Sequence, residues 1–131
     1  MNRNKRSRKY QAMCFAFTPE TIKLTEEALT LFDQPLQRAD HQDAKVRFAE
    51  ETMKRVRGKL DAMKKSVGFM CLTTFDYNEK VVLAQALRLY SIDLSFSSVD
   101  ERQARKIRQC RRIAACFEAE NARARRKRSD I

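Results

Sequence analysis

The chain has 131 residues, the size of one compact domain, with 28 Lys and Arg against 17 Asp and Glu and a net charge of +11. Two Gly and two Pro are too few for the turns of a many-stranded β fold, and at 43% hydrophobic the chain has enough apolar surface to bury a core. No apolar run reaches the roughly 18 residues of a membrane span, so no membrane partner is expected.

Residues 1–12 read as a basic arm: Arg3, Lys5, Arg6, Arg8 and Lys9 occur without an acid among them. Met13–Phe17 is apolar but too short for a secretory signal, which places the expected compartment in the cytoplasm. A first helix is expected to open at Thr18-Pro19, where Thr18 can cap and Pro19 suits the first helical position. It carries Leu24, Ala28, Leu31 and Phe32 on one face, and Pro35 is expected to close it. A polar loop, Gln37–Gln42, holds His41, the single histidine.

A second helix is expected from about Asp43 to Lys65. Val46, Ala49, Met53, Val56, Leu60 and Met63 recur at spacings of three and four, the stripe of a helix packed along one seam. The join Val67-Gly68-Phe69-Met70-Cys71-Leu72 is apolar and reads as a buried connection, since a flexible linker would be polar. A third helix opens at Asp76, with Glu79 three residues on as in a capping box, and is expected to run to about Tyr90. Ser98 and Glu101 repeat that spacing and predict a fourth helix. Its buried face is Ala104, Ile107, Cys110, Ala114 and Phe117, flanked by Ile113 and Cys116. Val46, Met53, Val56, Leu60, Ile107, Ala114 and Phe117 are expected to share one core.

The two halves resemble each other at an offset of 58. Phe17, Ala28, Leu29, Leu31 and Leu36 match Phe75, Ala86, Leu87, Leu89 and Leu94, with Phe32 opposite Tyr90. Residues 17–66 and 75–122 can therefore be read as two helix-loop-helix units, either duplicated or convergently patterned. The expected fold is all-α: a compact bundle of about four main helices, forming a single helical domain over 13–122 between basic N- and C-terminal extensions.

Charge is segregated within this plan. Arg123, Arg125, Arg126, Lys127 and Arg128 form a second basic cluster in the tail, 123–131. Between the two clusters, residues 10–122 hold 18 bases and 16 acids, so the body is nearly neutral. Residues 17–52 are acidic, whereas 53–65 and 99–122 are basic. Arg102, Arg105, Arg108 and Arg112 fall on one face of the fourth helix, opposite much of its apolar stripe. No helix breaker intervenes from Glu118 to Arg128, so the basic tail can extend that helix and lie along a phosphate backbone or fold upon an RNA groove. The tail has no apolar stripe, so its loss should leave stability unchanged.

Chemistry-bearing patterns are sparse. His41 beside Asp40 and Asp43 reads as an exposed loop histidine, and no nucleophile, base and carboxylate set is assignable. Gly58 and Gly68 stand alone, which excludes a glycine-rich phosphate loop. Glu50 and Glu51 are adjacent on a helix and diverge, so they make a poor metal pair. Cys14, Cys71, Cys110 and Cys116 lack zinc-site spacing and are expected as free thiols. No catalytic residue, metal or cofactor is expected. Helix-turn-helix signals are missing, and most aromatic residues fall on apolar faces, which favours backbone or structured-RNA contact over base readout. The sequence thus points to a non-enzymatic basic protein that binds RNA or DNA. The alternative is a protein-docking inhibitor or regulator, of the kind encoded by phages or other mobile elements, acting on a nucleic-acid-processing enzyme or a ribonucleoprotein.

Overall fold

A computed structural model describes residues 18–65, 75–97 and 100–129, with side chains to residue 126. Within these residues the fold is a compact all-α bundle of four helices: α1 (Pro19–Arg38), α2 (Ala44–Lys65), α3 (Tyr77–Ser95) and α4 (Glu101–Ser129). The expected arm 1–12, the apolar join 67–72 and Ser98 lie outside the described residues.

Short polar side chains start each helix by accepting amide hydrogens that have no partner in the first turn. Thr18 and Thr21 form a reciprocal capping box on α1, and Asp76 and Glu79 form another on α3. Asp43 accepts from the Lys45 amide at 2.8 Å to open α2. The start of α4 differs from expectation. Its cap is Asp100, whose carboxylate accepts from the Gln103 amide at 2.8 Å, and the helix begins at Glu101. An aspartate directly before the helix meets these amides, so the Ser98 spacing is not what sets the boundary.

Two helix ends also run past their expected limits. Pro35 lies inside α1, which continues one turn to Arg38. Proline removes one hydrogen bond there, but Leu36 packs on the core and holds the added turn. α3 continues beyond Tyr90 to Ser95 because Ser91 and Leu94 are buried on its inner side.

α1 and α2 form one antiparallel hairpin, tied near its open end by the Lys64–Glu26 ion pair at 2.6 Å. α3 and α4 form the second and make the most extensive helix pairing in the molecule. Contact between the hairpins is chiefly α1 against α3. The caps Thr18 and Asp76 keep the 58-residue offset, and Ala28 and Leu29 are fully buried as are Ala86 and Leu87. In the outer helices the buried triplet Met53, Val56 and Leu60 has the spacing of Cys110, Ile113 and Phe117, at an offset of 57.

One contiguous core draws on all four helices. Phe75 and Phe117 meet edge to face with centroids 5.9 Å apart. Met53, Val56, Leu60, Ala114 and Phe117 lie in this core as expected. Val46 is only half-buried, and Ile107 is buried outside the contiguous cluster. Both stand in the first two turns of their helices, near the connected ends of the hairpins. Glu79 is wholly buried (0% exposed) and is neutralised by Lys59, whose ammonium also lies 5.6 Å from the Phe75 ring centroid.

Candidate nucleic-acid interface

The fourth helix is buried on one side only. Ile107, Cys110, Ile113, Ala114, Phe117 and Asn121 face the bundle. The 3.6-residue period sets Arg105, Arg108, Arg112, Arg123 and Arg126 within about 60° of one another on the opposite side. Of these, Arg105, Arg108, Arg112 and Arg126 are exposed and Arg123 is half-buried. Arg102 is exposed on the flank toward α1 rather than on this outer stripe.

Neighbouring acids decide whether such a stripe is positive. α4 carries three within Glu101–Ser129, and two of them are turned onto α3. Glu118 accepts from Arg88 Nη2 at 2.6 Å and from its Nε at 3.4 Å. Glu120 pairs with Lys80 at 2.8 Å. The Glu118 partner raises the Arg88 pKa above its already high ordinary value, so that cation stays charged. With Glu118 and Glu120 occupied by α3 cations, Glu101, one turn before Arg105 on the same side, is the one acid of α4 left beside the outer arginines. Among the described residues Arg102, Arg108, Arg111 and Arg112 have no carboxylate partner, and Arg105 reaches Glu20 only at 3.8 Å.

A groove of about 740 Å³ runs between α1 and α4. Lys23, Arg102, Arg105 and Arg108 line it, opposed by Glu20 and Glu27. Glu27 is the polar junction of the three helices. It accepts the Tyr90 hydroxyl hydrogen at 2.6 Å and lies 3.6 Å from Lys106 Nζ. Burial first, then that carboxylate, push the Tyr90 phenol well above its ordinary pKa.

The basic tail is not a separate appendage over its first residues. α4 continues through it, as the lack of a breaker implies, and Arg125 turns inward onto Tyr77 at the start of α3. The expectation that loss of the segment leaves stability unchanged rested on its lack of an apolar stripe; an aromatic ring and its hydroxyl give Arg125 a seat without one. The side chains of Lys127 and Arg128, and Arg3, Lys5, Arg6, Arg8 and Lys9 of the arm, lie outside the described residues.

His41 is exposed and its Nδ1 pairs with Glu50 at 2.5 Å rather than with Asp40 or Asp43. Cys110 is buried and Cys116 half-buried, both as free thiols. No group of three or more His, Cys, Asp or Glu is placed to hold a metal among the described residues, and no helix there is long and apolar enough to cross a membrane.

A second surface feature escaped the sequence reading. Leu89, Ile92 and Phe96 follow at helical spacing on the outer side of α3 and its cap and are exposed, Phe96 by 85%. With α3 expected to stop near Tyr90, Ile92 and Phe96 were not legible as one face with Leu89.

No protein-family model, curated protein or solved structure matches the chain.

Proposed function

We propose that this protein is a non-enzymatic, cytoplasmic binder of nucleic acid that contacts the phosphate backbone of RNA or DNA through α4 and the basic segments at both ends. The observation that carries this reading is the outward arginine side of α4, whose neighbouring Glu118 and Glu120 are occupied by Arg88 and Lys80. Arginine suits phosphate because its planar guanidinium donates two parallel hydrogen bonds and never deprotonates. A salt titration of binding tests it. Each phosphate neutralised releases condensed counterions, giving a slope of log affinity against log salt of about −0.9 per contact on duplex and about −0.7 on single strands. Replacing Arg105, Arg108 and Arg112 by Ala should make that slope shallower by about two to three units. Affinity weaker than about 100 μM for every nucleic acid near physiological salt overturns the reading.

The exposed Leu89, Ile92 and Phe96 favour a second reading, in which the protein docks on a partner protein or ribonucleoprotein. That interface would be apolar, weakly dependent on salt and lost on substituting Ile92 and Phe96 by Ser.

A further inference from the structure

The arginines on the outer side of α4 fall into two groups. Arg105, Arg108 and Arg112 stand on the first half of the helix, Arg123 and Arg126 on the last turns. Between Arg112 and Arg123 the helix rises about 16 Å. Over that distance the outer side presents Ala115, Cys116, Ala119 and Ala122, the three alanines exposed, and no cation. Glu118 and Glu120 flank the same stretch but are drawn toward α3.

Resting on the nucleic-acid reading, we propose that α4 lies across the major groove of B-form duplex DNA, each arginine group on one of the two phosphate backbones that rim the groove. The fit is one of spacing. Each strand of a duplex carries one phosphate per about 3.4 Å of axis, so a duplex backbone followed lengthwise by α4 would pass about five phosphates over the uncharged middle. Two rows of phosphate separated by a groove need no cation there. The major groove of B-DNA is about 12 Å wide and admits a helix, and the phosphates stand beyond its edges. Its minor groove, at about 6 Å, is too narrow for the interval between Arg112 and Arg123. The major groove of an RNA duplex is deep and narrow and closed to side chains. Exposed alanines let the helix axis approach the groove without a bulky side chain intervening. Their lack of polar groups implies shape-and-backbone binding with little choice of sequence.

Binding of the full chain to a 24-base-pair DNA duplex, the corresponding single strand and an RNA duplex of the same sequence, followed by fluorescence anisotropy at fixed salt, tests the proposal. The DNA duplex is expected to bind at least tenfold more tightly than either of the others. Arg108→Ala with Arg112→Ala, or Arg123→Ala with Arg126→Ala, should each bring duplex affinity down to the single-strand level, since one backbone is then released. Unchanged circular dichroism and melting temperature in each double variant confirm that it is folded. Methylation of guanine N7, which lies in the major groove, should interfere with binding, and methylation of adenine N3 in the minor groove should not. Equal affinity for single strands or RNA duplex, or interference from adenine N3 alone, overturns the groove assignment while leaving backbone binding intact. Failure of all three nucleic acids to bind overturns both.

Discussion

The guanidinium of Arg125 lies over the ring of Tyr77, 5.5 Å from its centroid, and its Nε donates to the Tyr77 hydroxyl. One turn earlier Asn121 Nδ2 donates to the Tyr77 carbonyl at 3.3 Å, so the end of α4 is fastened to the beginning of α3. An exposed cation–π contact and one hydrogen bond together stabilise by about 1 kcal/mol. Arg125→Ala should therefore lower unfolding free energy by about that amount in urea melts. Tyr77→Phe, which keeps the ring, should cost less than Arg125→Ala, and equal losses would show that the ring contributes nothing.

Phe117 is 3% exposed and contacts Phe75 across the core. Phe117→Ala should destabilise by about 3–5 kcal/mol, because the cavity lies where α4 meets the rest of the bundle and cannot collapse freely. A denaturant-melt loss below about 1 kcal/mol would contradict its place in the core.

Asp76 caps α3, and the Glu79 amide that donates to it is the main reason its carboxyl titrates below the ordinary value of 3.8. A carboxyl with a depressed pKa in the fold contributes fully above its unfolded value. That contribution is lost as pH falls through the folded value, so the loss begins below about pH 4. Asp76→Asn keeps an acceptor at the cap but cannot titrate, so its stability should fall less steeply than that of the native chain below about pH 4. Asp76→Ala should cost about 1 kcal/mol at neutral pH. Thermal melts across the acid range distinguish the two.

Burial pushes the Cys110 thiol up to about 11, the nearby Glu27 carboxylate adding to the effect and Lys106 opposing it. At pH 8 its thiolate is about one part in a thousand, and the sulfur is screened by the core. Cys110 should react with a disulfide reagent only when the bundle opens, and its rate should rise with urea in step with unfolding. Peptide mapping of the labelled chain reads this at Cys110. Rapid labelling in native buffer would contradict the packing.

Most of the fold was legible because local signals and tertiary demand coincide. Thr18 and Asp76 are capping residues followed by amphipathic runs, and the Met53–Leu60 stripe needs no knowledge of its partner helix. Helix ends were less legible. Pro35 carries a strong stop signal that the packing of Leu36 overrides, and Asp100 caps where the Ser98 spacing suggested another start. The arginines of α4 could be read from spacing alone. That Glu118 and Glu120 face Arg88 and Lys80 could not, because it depends on which helix lies alongside. Tyr77 as the seat of Arg125 was hidden for the same reason, since 48 residues separate them.

Pro35 has a dynamic consequence. Its nitrogen carries no hydrogen, so the carbonyl of Leu31 gains no i to i+4 bond, and the turn from Leu36 to Arg38 hangs on fewer backbone links than the rest of α1. Amide hydrogens in that turn should exchange with deuterium by local fraying, far faster than those around Ala28 and Leu29, which await global opening. The corner joining the first two helices then loosens before the alanine- and leucine-packed centre of α1, which stays closed.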